Sequence, residues 1–239
     1  DGPNIGVVTD RGVVDLSRID PAAPRDLDAV IKAGQLDQIA ALMVKAGDET
    51  HHQIGDITIG LPVERPGKIL CLGLNYMDHV AEGPFDKQHF PAIFMRSSTS
   101  LVAANQPIIA PAVSETLDYE AELGVIIGTE CKNLTEDNAL DAIAGYSCFN
   151  DGSVREFQRH TMQWTMGKNF DKTGPFGPFM VTPDELPKAA TGLKIECRLN
   201  GKTVQSSTTD MMIFPVVETL VYITKAVTLE PGDLVIMGT

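Results

Sequence analysis

Glu120 and Glu122 stand two residues apart in the run Leu117-Asp118-Tyr119-Glu120-Ala121-Glu122-Leu123-Gly124-Val125-Ile126-Ile127. Side chains alternate faces along a strand, so Asp118, Glu120 and Glu122 share one side, opposite Tyr119, Ala121, Leu123 and Val125. Two neighbouring carboxylates in a segment apolar enough to be buried repel, and one takes a proton unless a cation lies between them. A hard divalent ion, which takes oxygen ligands, removes that repulsion. Taken alone, the spacing is better described by an edge strand with its acids in water, because exposed acids are common. A third acid changes the balance. Residues 142–149 read as a strand running into Asn150-Asp151-Gly152-Ser153, a loop start of the kind where functional side chains sit. Glu120, Glu122 and Asp151 are therefore the candidate metal ligands.

Three carboxylates and one divalent ion carry a net charge of about −1, which repels an anionic substrate unless cations stand nearby. Lys168 and Arg155 are the candidates to compensate, and arginine grips a carboxylate with two parallel hydrogen bonds. Each is equally describable as an ordinary structural cation. His79 and Glu82 lie three apart and share a face if their segment is helical. A carboxylate holding an imidazole makes a general base near neutral pH, able to take a proton from water. A helix-surface histidine beside an acidic neighbour is the simpler alternative, and the spacing is not that of a two-histidine zinc protease. His51, His52, His89 and His160 have no such partner and are given no role. Residues 83–91, polar with Gly and Pro, are a candidate lid over substrate or a static loop.

These residues need a scaffold of the right class. The 239-residue chain is 43% hydrophobic and 21% charged, the composition of a globular enzyme with a sizeable core. Its formal net charge of −13 argues against nucleic acid as a partner, since phosphate binding needs excess Lys and Arg. No run of eighteen apolar residues spans a membrane, and the first residues lack the basic start and apolar stretch of a signal peptide. The four cysteines form no Cys-x-x-Cys pair, so reduced thiols and a cytoplasmic location are expected. Residues 5–8 and 12–16 read as a hairpin, and 27–46 has helical spacing interrupted by Gly34. From Lys68 the texture becomes short β runs, at 68–72, 92–95, 122–127, 193–199 and 234–237, with helices expected at 76–82, 135–144 and 214–226. The expectation is an α+β chain dominated by a rolled or sandwiched sheet, with a small N-terminal α+β segment (1–62) ahead of a catalytic domain (63–239).

Several motifs, in order, resemble the fumarylacetoacetate hydrolase superfamily. They are Gly73-Leu74-Asn75-Tyr76-x-Asp78-His79, Asp118-Tyr119-Glu120-Ala121-Glu122-Leu123 and Asn150-Asp151-x-Ser153-x-Arg155. Gly167-Lys168-Asn169-Phe170-Asp171-x-x-Gly174-Pro175, Leu229-Glu230-Pro231-Gly232-Asp233 and Gly238-Thr239 follow. The resemblance implies a mixed β-roll catalytic domain, a homodimer, and Mg2+ or Mn2+ held by Glu120, Glu122 and Asp151. It implies substrate binding and charge stabilisation by Lys168, and a water-activating dyad of His79 and Glu82. It places Arg155, Gln158, Asp171 and Thr239 against a small 2-oxo acid substrate. Three features depart from the family pattern. Met95-Arg96-Ser97-Ser98 replaces a Lys- or Pro-rich stretch, Gly152 replaces a bulkier residue and should loosen its loop, and relatives continue beyond Thr239.

The expected reaction is hydrolysis of a carbon–carbon bond in an acylpyruvate or β-diketo acid through a metal-stabilised enolate. Isomerisation or decarboxylation of a related 2-oxo or hydroxy-diene dicarboxylic acid uses the same enolate and is the alternative. A metal-binding module without catalysis is the third possibility, disfavoured because a mere binder needs no water activator.

Overall fold

The computed structural model describes residues 2–78 and 88–239. Its strands are β1 (Gly6–Thr9), β2 (Gly12–Asp15), β3 (Ile69–Gly73), β4 (Ala92–Arg96), β5 (Leu101–Ala103), β6 (Leu117–Asp118) and β7 (Ala121–Ile127). There follow β8 (Ile143–Asn150), β9 (Ser153–Val154), β10 (Gly174–Phe176), β11 (Lys194–Leu199), β12 (Lys202–Thr208) and β13 (Leu234–Ile236). Seven of them make one mixed sheet in the order β4-β3-β13-β7-β8-β10-β5. β13 runs parallel to β3 and antiparallel to β7, and β10 runs parallel to β5. The architecture is α+β and β-dominated, as the texture of the sequence implies.

Both faces of this sheet are covered, which is why its central strands read as continuous apolar runs rather than alternating ones. Val125 and Ile127 face one core, where Leu70, Leu72 and Val235 pack with Leu220 and Ile223 of the helix Val216–Ala226. Ile126 faces the other, with Cys71, Phe149, Phe176 and Ile236, and Ile31 and Val63 close over it. The β1–β2 hairpin and its following helices bury Ile5, Val14, Leu16 and Val30 in a cluster of their own. The burial is dry and extensive enough to make any charge inside it depend on a partner.

The structure bears out the helical spacing at 27–46 with its interruption at Gly34, φ 64°, between Leu27–Lys32 and Leu36–Ala46. Other sequence expectations it corrects. No α-helix covers 135–144: its end is a short 3-10 turn, Ala139–Ala142, and the chain then enters β8. First-turn acids are compatible with either, but Ile143, Gly145 and the aromatic Tyr146 and Phe149 favour the strand. Of 76–82, Met77 and Asp78 are helical and the rest lies outside the described residues, as does most of the candidate lid. β12 was not anticipated because Thr203–Thr208 is polar and lacks strand-like alternation. It pairs with β11 as a hairpin beside the sheet.

Candidate metal centre and surrounding site

The acidic strand is not an edge. β7 sits in the middle of the seven-stranded sheet, between β13 and β8. Glu122 pairs with Phe149 and Ala121 with Asn150, so Asp151 emerges one residue beyond the ladder. The end of that ladder fixes Glu120 against Asp151: the Asp151 amide donates to the Glu120 carbonyl at 2.9 Å, and the Glu120 amide donates to Asn150 Oδ1 at 2.9 Å. Glu120, Glu122 and Asp151 are 7%, 3% and 0% exposed, and one oxygen from each lies within 4.8 Å of the others. Three hard oxygen donors this close and this dry are a fit for a divalent cation.

Cations surround them, Lys168 and Arg96 buried and Arg155 half-buried. Lys168, ending the short helix Thr165–Lys168, puts Nζ 2.6 Å from both Glu120 Oε2 and Asp151 Oδ2. Phe94 lies beneath that ammonium, its ring centre 5.0 Å away. Arg155 donates to Asp118 at 2.9 Å, to Glu120, and to Gln158 Oε1 at 3.0 Å. Arg96, from the end of β4, is 4% exposed. It pairs with Asp151 and also donates to the Gly152 carbonyl at 3.2 Å, Thr173 Oγ1 at 3.0 Å and Ser100 Oγ at 3.1 Å. Glu122 is different. Its contact is a 2.6 Å hydrogen bond from the Gly238 amide, and no cation pairs with it among the described residues.

This asymmetry separates the two glutamates. Burial would raise Glu120, but the charges of Lys168 and Arg155 outweigh it and hold the carboxyl below its usual range. Burial drives Glu122 well up, and the charges of Asp151 and Glu120 push the same way. Lys168 loses hydration on burial, yet Asp151 and Glu120 keep its ammonium above the ordinary lysine value. Three carboxylates thus face three cations. A divalent ion added there leaves the cluster at about +2, one more than the +1 that the same ion, Lys168 and Arg155 would give without Arg96. Asp118, whose side chain is 42% exposed, changes this little because water screens it.

Arg96 is the principal residue that sequence reasoning passed over, and it accounts for the difference in charge. Its stretch stood out only as a departure from a family pattern. The physical signal was an arginine closing an apolar strand, which must find an acid inside the fold. Gly152 also reverses its expectation. A Cβ there would lie 2.0 Å from the Thr173 carbonyl oxygen, so glycine tightens the loop that carries Asp151 rather than loosening it. The remaining predicted site residues divide. Gln158 supports Arg155, whereas Asp171 is exposed in the turn after Lys168. His79 and Glu82 lie outside the described residues.

A cavity of about 180 Å³ adjoins Ala121, the residue between the two glutamates, and Thr239, which follows Gly238. Tyr76, Asp78, Ala121, Gln205, Ser207 and Thr239 are among its walls. Gln205, on β12, donates to Thr239 Oγ1 at 3.0 Å and accepts from the Ala121 amide at 2.9 Å. Ser207 donates to Asp78 at 2.9 Å. The unanticipated hairpin therefore walls the cavity and ties it to the start of β7. Gly238, with φ 82°, is forced by the close approach of Asn75, whose Cβ lies 2.8 Å from where a Cβ would stand.

A buried acid cluster at the end of a mixed sheet, ringed by cations, fits a divalent metal. The chain belongs to the fumarylacetoacetate hydrolase family: the profile described as fumarylacetoacetate (FAA) hydrolase C-terminal matches residues 68–239. It is 37% identical over 229 residues to the mitochondrial oxaloacetate tautomerase Fahd2a of Rattus norvegicus, covering 95% of this chain and 73% of that protein. The fold is similar to that of a fumarylacetoacetate hydrolase from psychrophilic Exiguobacterium antarcticum, with a TM-score of 0.81 and 32% identity, covering 100% of this chain and 83% of that one. It is also similar to maleylpyruvate hydrolase from Sphingobium sp. SYK-6, whose structure holds manganese(II) and pyruvate. There the TM-score is 0.82 and the identity 25%, over 100% of this chain and 86% of that one. The family is enzymatic, and no described helix is long and apolar enough to cross a membrane.

Proposed function

We propose that this chain is a divalent-metal-dependent enzyme that acts on a small 2-oxo acid through its enolate, with keto–enol tautomerisation of an oxaloacetate-like acid as its first reaction. The observation that carries this reading is the charge of the cluster. Glu120, Glu122 and Asp151 would hold Mg2+ or Mn2+, which supplies Lewis-acid polarisation of the substrate's oxygens. Lys168, Arg96 and Arg155 then leave a net positive, nearly dry site. Such a site favours the enolate, whose charge is greater by one than that of the keto acid, and so lowers the barrier differentially.

The roles follow from position. Lys168 stays charged and donates to oxygen carrying developing negative charge. Arg155 stabilises Glu120 and the substrate carboxylate beside it, with Gln158 holding Arg155 in place, and Thr239 contacts substrate from the cavity side. Tautomerisation moves one proton from C3 to the 2-oxo oxygen, so it needs a shuttle and no water. His79 with Glu82 takes that role by its spacing. Hydrolysis of an acylpyruvate is the second reading, favoured by the pyruvate-bound hydrolase of the same fold. There the same dyad would activate water, and the same cations would stabilise the released enolate.

The test is turnover of oxaloacetate enol and of acylpyruvates with Mg2+ or Mn2+ supplied. EDTA and Glu122→Gln are each expected to abolish turnover. Activity that survives both would defeat the proposed site. His79→Ala is expected to remove hydrolysis fully and to slow tautomerisation, whose proton can also exchange with solvent.

A further inference from the structure

Among the described residues, Tyr76 is the cavity-wall residue whose buried polar atom is left over. The residue is 2% exposed, and its hydroxyl is buried without a hydrogen-bond partner among the described residues. Buried hydroxyls of this kind are rare, because desolvation without a replacement bond is costly. The ring has nowhere else to go. It packs in the core with Leu70, Leu72, Val125 and Phe214. Its main chain bridges to Met212, and the neighbouring Asn75 is pinned by bonds to Phe214 and Met237 at 2.7–3.1 Å. The hydroxyl is thus held in a fixed place by a rigid frame, on a residue that lines the cavity with Thr239 and lies within reach of the Glu122 charge. A preorganised, unsatisfied donor beside a proposed anion site is how binding sites spend the desolvation of a polar group: the ligand supplies the missing acceptor.

We propose that Tyr76 is a substrate-contact residue whose hydroxyl donates a hydrogen bond to an oxygen of the bound 2-oxo acid. This rests on the proposed function above, which supplies the acceptor. The alternative is a core tyrosine whose hydroxyl is merely tolerated, and the two differ in what removing one oxygen atom does.

Tyr76→Phe keeps the ring and deletes only the hydroxyl. The probe is oxalate, a planar dianion resembling the enolate of pyruvate, titrated calorimetrically into the Mn2+-loaded protein. The expected result is about tenfold weaker oxalate binding, the size of one lost hydrogen bond to a charged group. Mn2+ affinity should stay within about twofold, and the metal-free melting temperature should be unchanged or slightly higher, since an unsatisfied group has gone. Unchanged oxalate affinity overturns the proposal, as does a large fall in metal-free melting temperature, which would make the hydroxyl a structural group. If the unsubstituted protein binds Mn2+ but no oxalate, the underlying reading of the site fails instead, so the two failures are distinguishable.

Discussion

At the scale of single residues, the two glutamates of one strand have been given opposite tasks by their neighbours. Glu120 meets Lys168 and Arg155 and is ionised; Glu122 meets, among the described residues, the Gly238 amide and no cation, and is pushed towards its neutral form. The consequence for stability has a definite sign. Because the folded state raises Glu122 above the unfolded value of about 4.3, native protein binds more protons, and stability falls as pH rises from there towards the raised value. Glu120 works the other way: its contribution is present above about 4.3 and is lost as pH falls through its lowered value. In EDTA, the melting temperature should therefore decline on the alkaline side of about pH 4.3. Glu122→Gln should flatten that decline and melt about 2–4 °C higher near pH 7, the size of a 1 kcal/mol change in a chain this long. Thermal melts of both proteins across pH decide it, and a parallel decline would mean the Glu122 charge is already compensated. Lys168→Met acts in the opposite sense. It removes the 2.6 Å partner that Glu120 and Asp151 share and leaves each one cation, Arg155 and Arg96, so the metal-free protein should lose about 2–3 kcal/mol, less than for an unpaired buried charge. Added Mn2+ should recover part of this, because a ligand bound only by the folded state stabilises it. Denaturant titrations with and without Mn2+ measure both effects.

At the scale of elements, what matters is where strands end. Asp151 leaves β8 one residue past its pairing with β7, and Gly152 lets that exit pass 2.0 Å (for an added Cβ) from the Thr173 carbonyl. Gly152→Ala should therefore displace the Asp151 loop even though the substitution adds one methyl group. The expected result is loss of metal binding by at least tenfold with a lowered melting temperature, read by Mn2+ calorimetry and thermal melts; wild-type metal affinity would show that the loop can yield. This is also where the sequence stops being legible. The shared face of Glu120 and Glu122 follows from strand alternation, and Asp151 from its place at a strand end. Ion-pair partners are tertiary facts, so Arg96, 55 residues from its carboxylate, carried only the weak signal of a charge ending an apolar strand. Only half of the β11–β12 hairpin is legible: β11 alternates charged and apolar residues, while β12 is polar and is held by its pairing with β11 and by Gln205 bonding to Ala121 and Thr239. The false helix at 135–144 came from capping residues whose local preference lost to the sheet, since the pairing of β8 with β7 buries both strands. Local signals mark residue types well, and marked the acids well, but not which distant group answers them.

At the scale of the whole molecule, two electrostatic fields oppose each other. The chain carries −13 overall, yet its carboxylate cluster is matched by three cations, two of them buried, and becomes positive with a divalent ion in place. An anionic 2-oxo acid approaching from solvent first meets the long-range negative field, and only within a few ångströms does the site attract it. Salt separates the two, because the Debye length is about 30 Å at 0.01 M, about 8 Å at 0.15 M and about 3 Å at 1 M. Between 0.01 and 0.15 M the distant repulsion is screened while the buried ion pairs, shielded from solvent, are barely touched. The kcat/KM for a 2-oxo acid should accordingly rise about two- to fivefold over that range, carried by KM, the reverse of the usual loss of electrostatic steering. A neutral amide analogue of the substrate should show no such rise. Steady-state kinetics with both substrates at fixed free metal tests this, and a fall in kcat/KM with salt would mean that the positive site, rather than the acidic surface, governs approach.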